Sequence, residues 1–366
     1  MILHQFENGD TLYRKEYAII ANFSGKRFVL STSPLNGGLT TDLKHVLNFD
    51  FHAGNAVIPP LKAPTYAEHI AILATELGLD PAHSSGLGTA ALMDNAVICS
   101  ETYKDTTVTA LVTGGIYING GRVGEPAFWH ETDGNYMQIP GTINIFLFIS
   151  AHLTPGALTR ALVTCTEAKV AAIQELMAPS CYSMGLATGS CTDGVIIVSD
   201  AESSVRLTEA GKHFKLGELI GKTIISATKR ALYLQTGLSP EWQFNVFGRM
   251  GRFGVTEEKL WELCQSTLPS RTVFSDKLRF FAGKKDLVVY TSFFAHILDQ
   301  LQWGLISPQA ALPAACDVLH LMGVDPELVK TKNQNLTNID TEKAIEILIE
   351  AYGFGLRDIV ISGRVT

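Results

Sequence analysis

Thr164-Cys165-Thr166-Glu167-Ala168-Lys169 places hydroxyls, a carboxylate and an ammonium within six residues. Ala161-Leu162-Val163-Thr164 reads as a short strand, and Val170, Ile173 and Met177 read as the buried stripe of a helix. The expected element is a strand turning into a helix with Thr166 as N-cap. A helix start offers unpaired N–H groups and partial positive charge to a carboxylate, a phosphate or a developing oxyanion. Glu167 and Lys169 would lie in the first turn, where open α/β sheets place ligands. Threonine followed by glutamate is equally an ordinary helix start.

A second loop, Ala187-Thr188-Gly189-Ser190-Cys191-Thr192-Asp193-Gly194, gathers hydroxyls around one carboxylate before an apolar run. Its small residues let backbone approach a ligand, while its plain alternative is a polar turn in which Asp193 caps local N–H groups. Asn36-Gly37-Gly38, Thr113-Gly114-Gly115 leading to Asn119, and Gly141-Thr142-Ile143-Asn144 have the same character. Each alone is a turn; together they suit one pocket. His213 follows Gly211 in a polar stretch ahead of a long helix and is the candidate histidine for proton transfer. Histidines and cysteines show no HExxH or CxxC spacing, so no metal is expected. Gly217-Glu218-Leu219-Ile220-Gly221-Lys222 lacks the spacing of a phosphate loop and reads as close helix packing.

These loops need a scaffold, and the chain has material for one. Of 366 residues, 46% are hydrophobic and 18% charged, which excludes global disorder. The net charge of −7, without a lysine or arginine block, argues against nucleic acid. The apolar run 143–151 is too short to cross a bilayer, and the N-terminal residues carry no apolar signal core, so a cytoplasmic enzyme with reduced thiols is expected.

Thr107–Thr113, Ile143–Ile149, Ala161–Thr164 and Val195–Ser199 read as strands, and 67–77 and 215–235 as helices. That alternation predicts an α/β domain with a mixed sheet and flanking helices over 1–238. From 239 to 366 the periodicity turns helical, at 256–268, 288–303, 308–322 and 341–352, with Asp340 as an N-cap and Gly353 as the C-terminal stop. Three roles stay open for this mostly helical module: covering the pocket, joining copies of the chain, or binding a partner.

Taken in order, Leu35–Gly38, Thr89-Ala90-Ala91, Val112–Gly115, Gly141–Asn144, Thr164–Lys169, Ala187–Asp193 and Leu216–Gly221 resemble the adenosylcobinamide amidohydrolase (CbiZ) family. Cys165, Cys191 and Gly115 depart from its usual smaller residues or alanine. The resemblance implies hydrolysis of the amide joining aminopropanol to adenosylcobinamide, giving adenosylcobyric acid in corrinoid salvage. The corrinoid is then the substrate, and no cofactor is required. The matched positions implicate Thr166, Glu167, Lys169, Asp193 and His213 in the chemistry. They implicate Asn36, Gly37, Gly38, Thr89, Thr113, Gly114, Asn119, Thr142, Asn144, Thr164, Thr188, Gly189, Thr192 and Glu218 in substrate binding. Two schemes follow: Glu167 or Asp193 activates water while Lys169 or His213 protonates the amine, or a threonine among Thr164, Thr166 and Thr188 is the nucleophile with Lys169 as base. A different class of function, a non-catalytic carrier of a corrinoid or nucleotide, explains the glycine loops as well.

Overall fold

The computed structural model describes residues 1–52, 55, 58–127, 130, 141–324 and 339–363. The chain divides into two compact units, Met1–Ser239 and Pro240–Thr366.

The first unit is α/β with two sheets. One holds β1 (Ile2–Gln5), β2 (Thr11–Lys15), β3 (Ala18–Asn22), β6 (His45–Asp50) and β7 (Ser84–Thr89) in that order. The other runs β5 (Gly38–Thr40), β4 (Arg27–Ser31), β14 (Gly194–Asp200), β11 (Thr142–Ile149), β9 (Thr106–Gly115) and β8 (Val97–Tyr103). Two-residue strands form two small ribbons, β10 (Gly120–Gly121) with β13 (Gly189–Ser190), and β12 (His152–Leu153) with β15 (Arg206–Leu207).

Three apolar layers hold this unit together. Ile20, Leu47 and Phe49 pack on Ile70 and Leu73 of helix α1 (Tyr66–Glu76). Between the sheets lie Leu12, Ile19, Val46, Leu87, Leu111, Phe146, Phe148 and Ile196. The far face of the six-stranded sheet, with Val112, Ile143, Ile145 and Ile197, is covered by helices α2 (Pro155–Glu175) and α3 (Lys215–Thr236). The result is helix, sheet, sheet, helices, each layer burying one apolar face against the next. β11, α2 and β14 form a βαβ unit whose strands pair in parallel, Asn144 opposite Gly194.

Helix α2 corrects one expectation. Ala161–Thr164 is not a strand; the helix begins at Pro155 with Thr154 as N-cap, accepting from the Ala157 N–H, so Thr166 lies more than two turns inside. Ala157, Leu158, Ala161, Thr164, Cys165, Ala168, Lys169 and Ala172 form its buried stripe at steps of three and four, a period that outweighs the local valine and threonine. Cys165 faces the core, where burial pushes its thiol up to about 12 against the opposing pull of Lys169.

The second unit is helical: α4 (Val246–Met250), α5 (Glu257–Cys264), α6 (Arg271–Ala282), α7 (Lys285–Gln302), α8 (Pro308–Leu321) and α9 (Thr341–Ser362). Asp340 is the N-cap of α9, accepting from the Lys343 N–H. Gly353 does not stop this helix, which continues to a left-handed Gly363 at φ +73°. The preserved apolar period carries it on, with Leu356, Ile359 and Val360 still buried. A buried Arg252–Asp299 pair, two bonds of 2.6 Å, ties α7 to the segment after α4. Among the described residues no helix is long and apolar enough to cross a membrane.

Candidate active site

Strand polarity brings most of the glycine- and threonine-rich loops to one end of the six-stranded sheet. β9 ends at Gly115, β11 starts at Thr142 and β14 starts at Gly194, with the β4–β5 turn at the same end. β7 crosses these strands on the inner face. Ser85 Oγ lies 2.9 Å from Ser31 Oγ of β4, Leu87 sits over Gly194, and the Gly88 carbonyl accepts from Asn144 Nδ2 at 3.0 Å.

A buried polar chain joins the sheets here. Asn48 Nδ2 donates to Thr113 Oγ1 at 2.8 Å, and Asn144 Nδ2 donates to Asn48 Oδ1 at 2.9 Å. Thr142 Oγ1 donates to the Thr192 carbonyl at 2.6 Å, and Thr192 Oγ1 to the Gly141 carbonyl at 2.8 Å. Asn119 Nδ2 donates to that same Gly141 carbonyl at 2.5 Å. Gly141, at φ +114°, lies so close to Asn119 that a β-carbon would stand 2.7 Å from its Cγ, so both geometry and space require glycine.

On the helix side lies a Lys169–Asp193 ion pair, with side chains 11% and 12% exposed. Asp193 also accepts from the Ile143 N–H at 3.0 Å, the Ser190 N–H at 3.1 Å and Ser190 Oγ at 2.6 Å. With its lone pairs so committed, this carboxylate is suited to holding loop and lysine rather than to taking a proton from water. Among the described residues Asp193 is the hydrogen-bond partner recorded for Lys169, and the ammonium retains further N–H donors. Gly189 packs on the pair: a β-carbon there would clash with Asp193 Oδ2 and stand 2.8 Å from Lys169 Nζ.

Other sequence candidates are used for support. Asn36, at φ +49°, donates to the carbonyls of Pro81 and Ser84 at 2.8 and 2.7 Å. Gly37 packs against the Ser33 carbonyl, and Gly38 has φ +80°. Thr89 Oγ1 accepts from the Ala91 N–H, Thr188 Oγ1 accepts from the Val123 N–H, and Gly114 lies against Ile143 and Leu232. Thr164 Oγ1 donates to the Ala210 carbonyl, and Thr166 Oγ1 to the Leu162 carbonyl one turn back. Neither hydroxyl is bonded to Lys169. Thr166 and Glu167 are exposed on α2, so the oxyanion-binding helix start expected there does not exist.

His213 and Glu218 belong to the opposite end of the sheet. They flank the start of α3, whereas Leu232 and Gln235 near its end pack on Gly114 and Gly115. Glu218 is exposed and held at about 2 by hydrogen bonds from Lys215 and Lys222.

Sequence reading missed Asn48, Asp50 and His52. His52 Nδ1 lies 2.8 Å from Asp50 Oδ1, which also accepts the His52 N–H at 2.9 Å. Asp50 ends β6, in register with Thr89 of the parallel β7, on the same strand face as Asn48. The one available signal was the Asn-x-Asp-x-His alternation at 48–52, which marks three polar residues on one face of a strand. Cys181, Cys191 and the rest of the six cysteines are free thiols.

A family model described as adenosylcobinamide amidohydrolase matches residues 3–240. A protein of Methanocaldococcus jannaschii described only as uncharacterised is 34% identical over 241 residues, which cover 62% of this chain and 89% of that protein. Both alignments amount to roughly the length of the α/β unit.

Proposed function

The chain belongs to the adenosylcobinamide amidohydrolase family, and from that premise we propose that it hydrolyses the amide between aminopropanol and the propionyl side chain of adenosylcobinamide, releasing adenosylcobyric acid. The observation that carries this reading is the gathering of Asn119, Thr142, Asn144, Thr192 and the Lys169–Asp193 pair at one end of a single sheet.

Amide hydrolysis needs a charge to stabilise the tetrahedral oxyanion, a base for water and a proton for the departing amine. Lys169 supplies a half-desolvated ammonium whose position Asp193 fixes, suited to the oxyanion or the leaving nitrogen. Asp193 acts through Lys169 and the 189–193 loop. The base is His52, its ring oriented by Asp50, because Glu167 and His213 lie away from the ion pair. The buried amides and hydroxyls of Asn48, Thr113 and Asn144 keep the two groups on one rigid inter-sheet frame.

Incubating the protein with adenosylcobinamide and following products by mass spectrometry tests the reading. Adenosylcobyric acid and free aminopropanol are expected in equal amounts. Stoichiometric binding of the corrinoid with no cleavage would make the protein a carrier instead.

A further inference from the structure

The turn 116–124, between β9 and β10 and onward, exposes three large apolar side chains: Tyr117 at 74%, Ile118 at 57% and Val123 at 84%. Their backbone is firmly held. The Gly120 N–H donates to the Ile116 carbonyl at 2.8 Å, and Cys181 Sγ to the Tyr117 carbonyl at 3.5 Å. The Thr188 N–H donates to the Gly121 carbonyl at 2.8 Å, and the Val123 N–H to Thr188 Oγ1 at 2.9 Å. Hydrophobic groups displayed on a pinned turn cost solvation without a folding return, a pattern that marks recognition surfaces.

The turn is also continuous with the catalytic end of the sheet. Asn119, next to Ile118, is fully buried and bonded to Gly141. Gly120 and Gly121 pair with Ser190 and Gly189, which rest on Asp193 and Lys169. A ligand lying on Tyr117 and Ile118 therefore stands beside the opening to the ion pair.

We propose that Tyr117, Ile118 and Val123 form the docking surface for the apolar face of the corrin macrocycle, an inference that rests on the corrinoid amidohydrolase reading above. The scissile amide ends a side chain at the ring periphery. Such a substrate is bound by laying the ring on an outer surface while the side chain enters between the loops 119–121 and 189–193. An aromatic ring and two branched aliphatic side chains supply contact area at small entropic cost and leave the peripheral amides of the macrocycle in water.

The test is equilibrium dialysis of adenosylcobinamide against wild type and the Y117S/I118S/V123S variant, with turnover measured in parallel. The substituted side chains are exposed, so circular dichroism and thermal unfolding should match wild type. Binding at least about 10-fold weaker, with KM raised in proportion and kcat within about 3-fold, is the expected result. Equal corrinoid affinity in the two proteins would overturn the docking surface while leaving the amidohydrolase reading intact. If wild type neither binds nor cleaves adenosylcobinamide, the amidohydrolase reading falls, and the docking surface with it.

Discussion

Replacing Asp193 with Asn leaves the Lys169 ammonium buried against a neutral amide. The two side chains are 11% and 12% exposed, so water cannot substitute for the lost carboxylate. Breaking one partner of a buried pair costs about 3–5 kcal/mol, because the remaining charge is uncompensated. For a unit of this size, each kcal/mol lowers Tm by about 2–4 °C, so the expected shift is about 6–20 °C. Lys169→Met should cost less, about 1–3 kcal/mol, since Asp193 keeps donors from Ile143 and Ser190. Urea unfolding monitored by fluorescence, with the m-value checked for constancy, measures both. The double variant should recover part of the Asp193→Asn loss, because no lone ammonium remains. If Lys169 also stabilises the oxyanion, both single variants release cobyric acid about 10²–10³-fold more slowly. An Asp193→Asn protein within about 1 kcal/mol of wild type, or one more stable than Lys169→Met, would refute the desolvated-pair argument.

Gly189→Ala should reproduce much of the Asp193→Asn turnover defect, because its β-carbon enters the ion pair; unchanged kinetics would mean the pair moves aside without consequence. His52→Gln should lower kcat by about 10²–10⁴-fold, with partial rescue by added imidazole in a His52→Ala protein, whereas a variant within 3-fold of wild type excludes His52 as the base. Glu167→Gln should retain turnover within about 2-fold, since that carboxylate is exposed on α2, and a complete loss would restore it as a candidate base. Glu125 gives a pH dependence. Burial alone would raise its carboxyl, but bonds from Ser183, the Arg122 N–H and Ser180 hold it below the usual range. A depressed carboxylate stabilises the fold above its unfolded value near 4.5 and loses that contribution as pH falls through the lower folded value. Acid unfolding below about pH 5 should therefore be shallower in Glu125→Gln than in wild type, and identical acid profiles would remove Glu125 from the account.

The sequence by itself determined the α/β class, the strands around 107–113, 143–149 and 195–199, and the helix ending at Gly237, because alternation, period and a left-handed glycine are local signals. It also determined the family resemblance, carried by ordered loops that no single turn would reveal. The motif Thr164–Lys169 shows the limit of such reading. Its threonine, glutamate and lysine look like a helix start, yet Thr154 and Pro155 start the helix earlier, and the three-to-four period then buries Lys169 while exposing Glu167. Which residues became neighbours was settled by tertiary structure alone. Strand polarity sends the start of α3, with His213 and Glu218, to one end of the sheet, and Asn119, Gly141 and Asp193 to the other. The crossing of β7 over β14 and β11 brings Asn48, Asp50 and His52 to the inter-sheet frame from a stretch with no motif of its own. Those pairings span tens of residues of sequence and depend on how two sheets pack, a property with no local period to read.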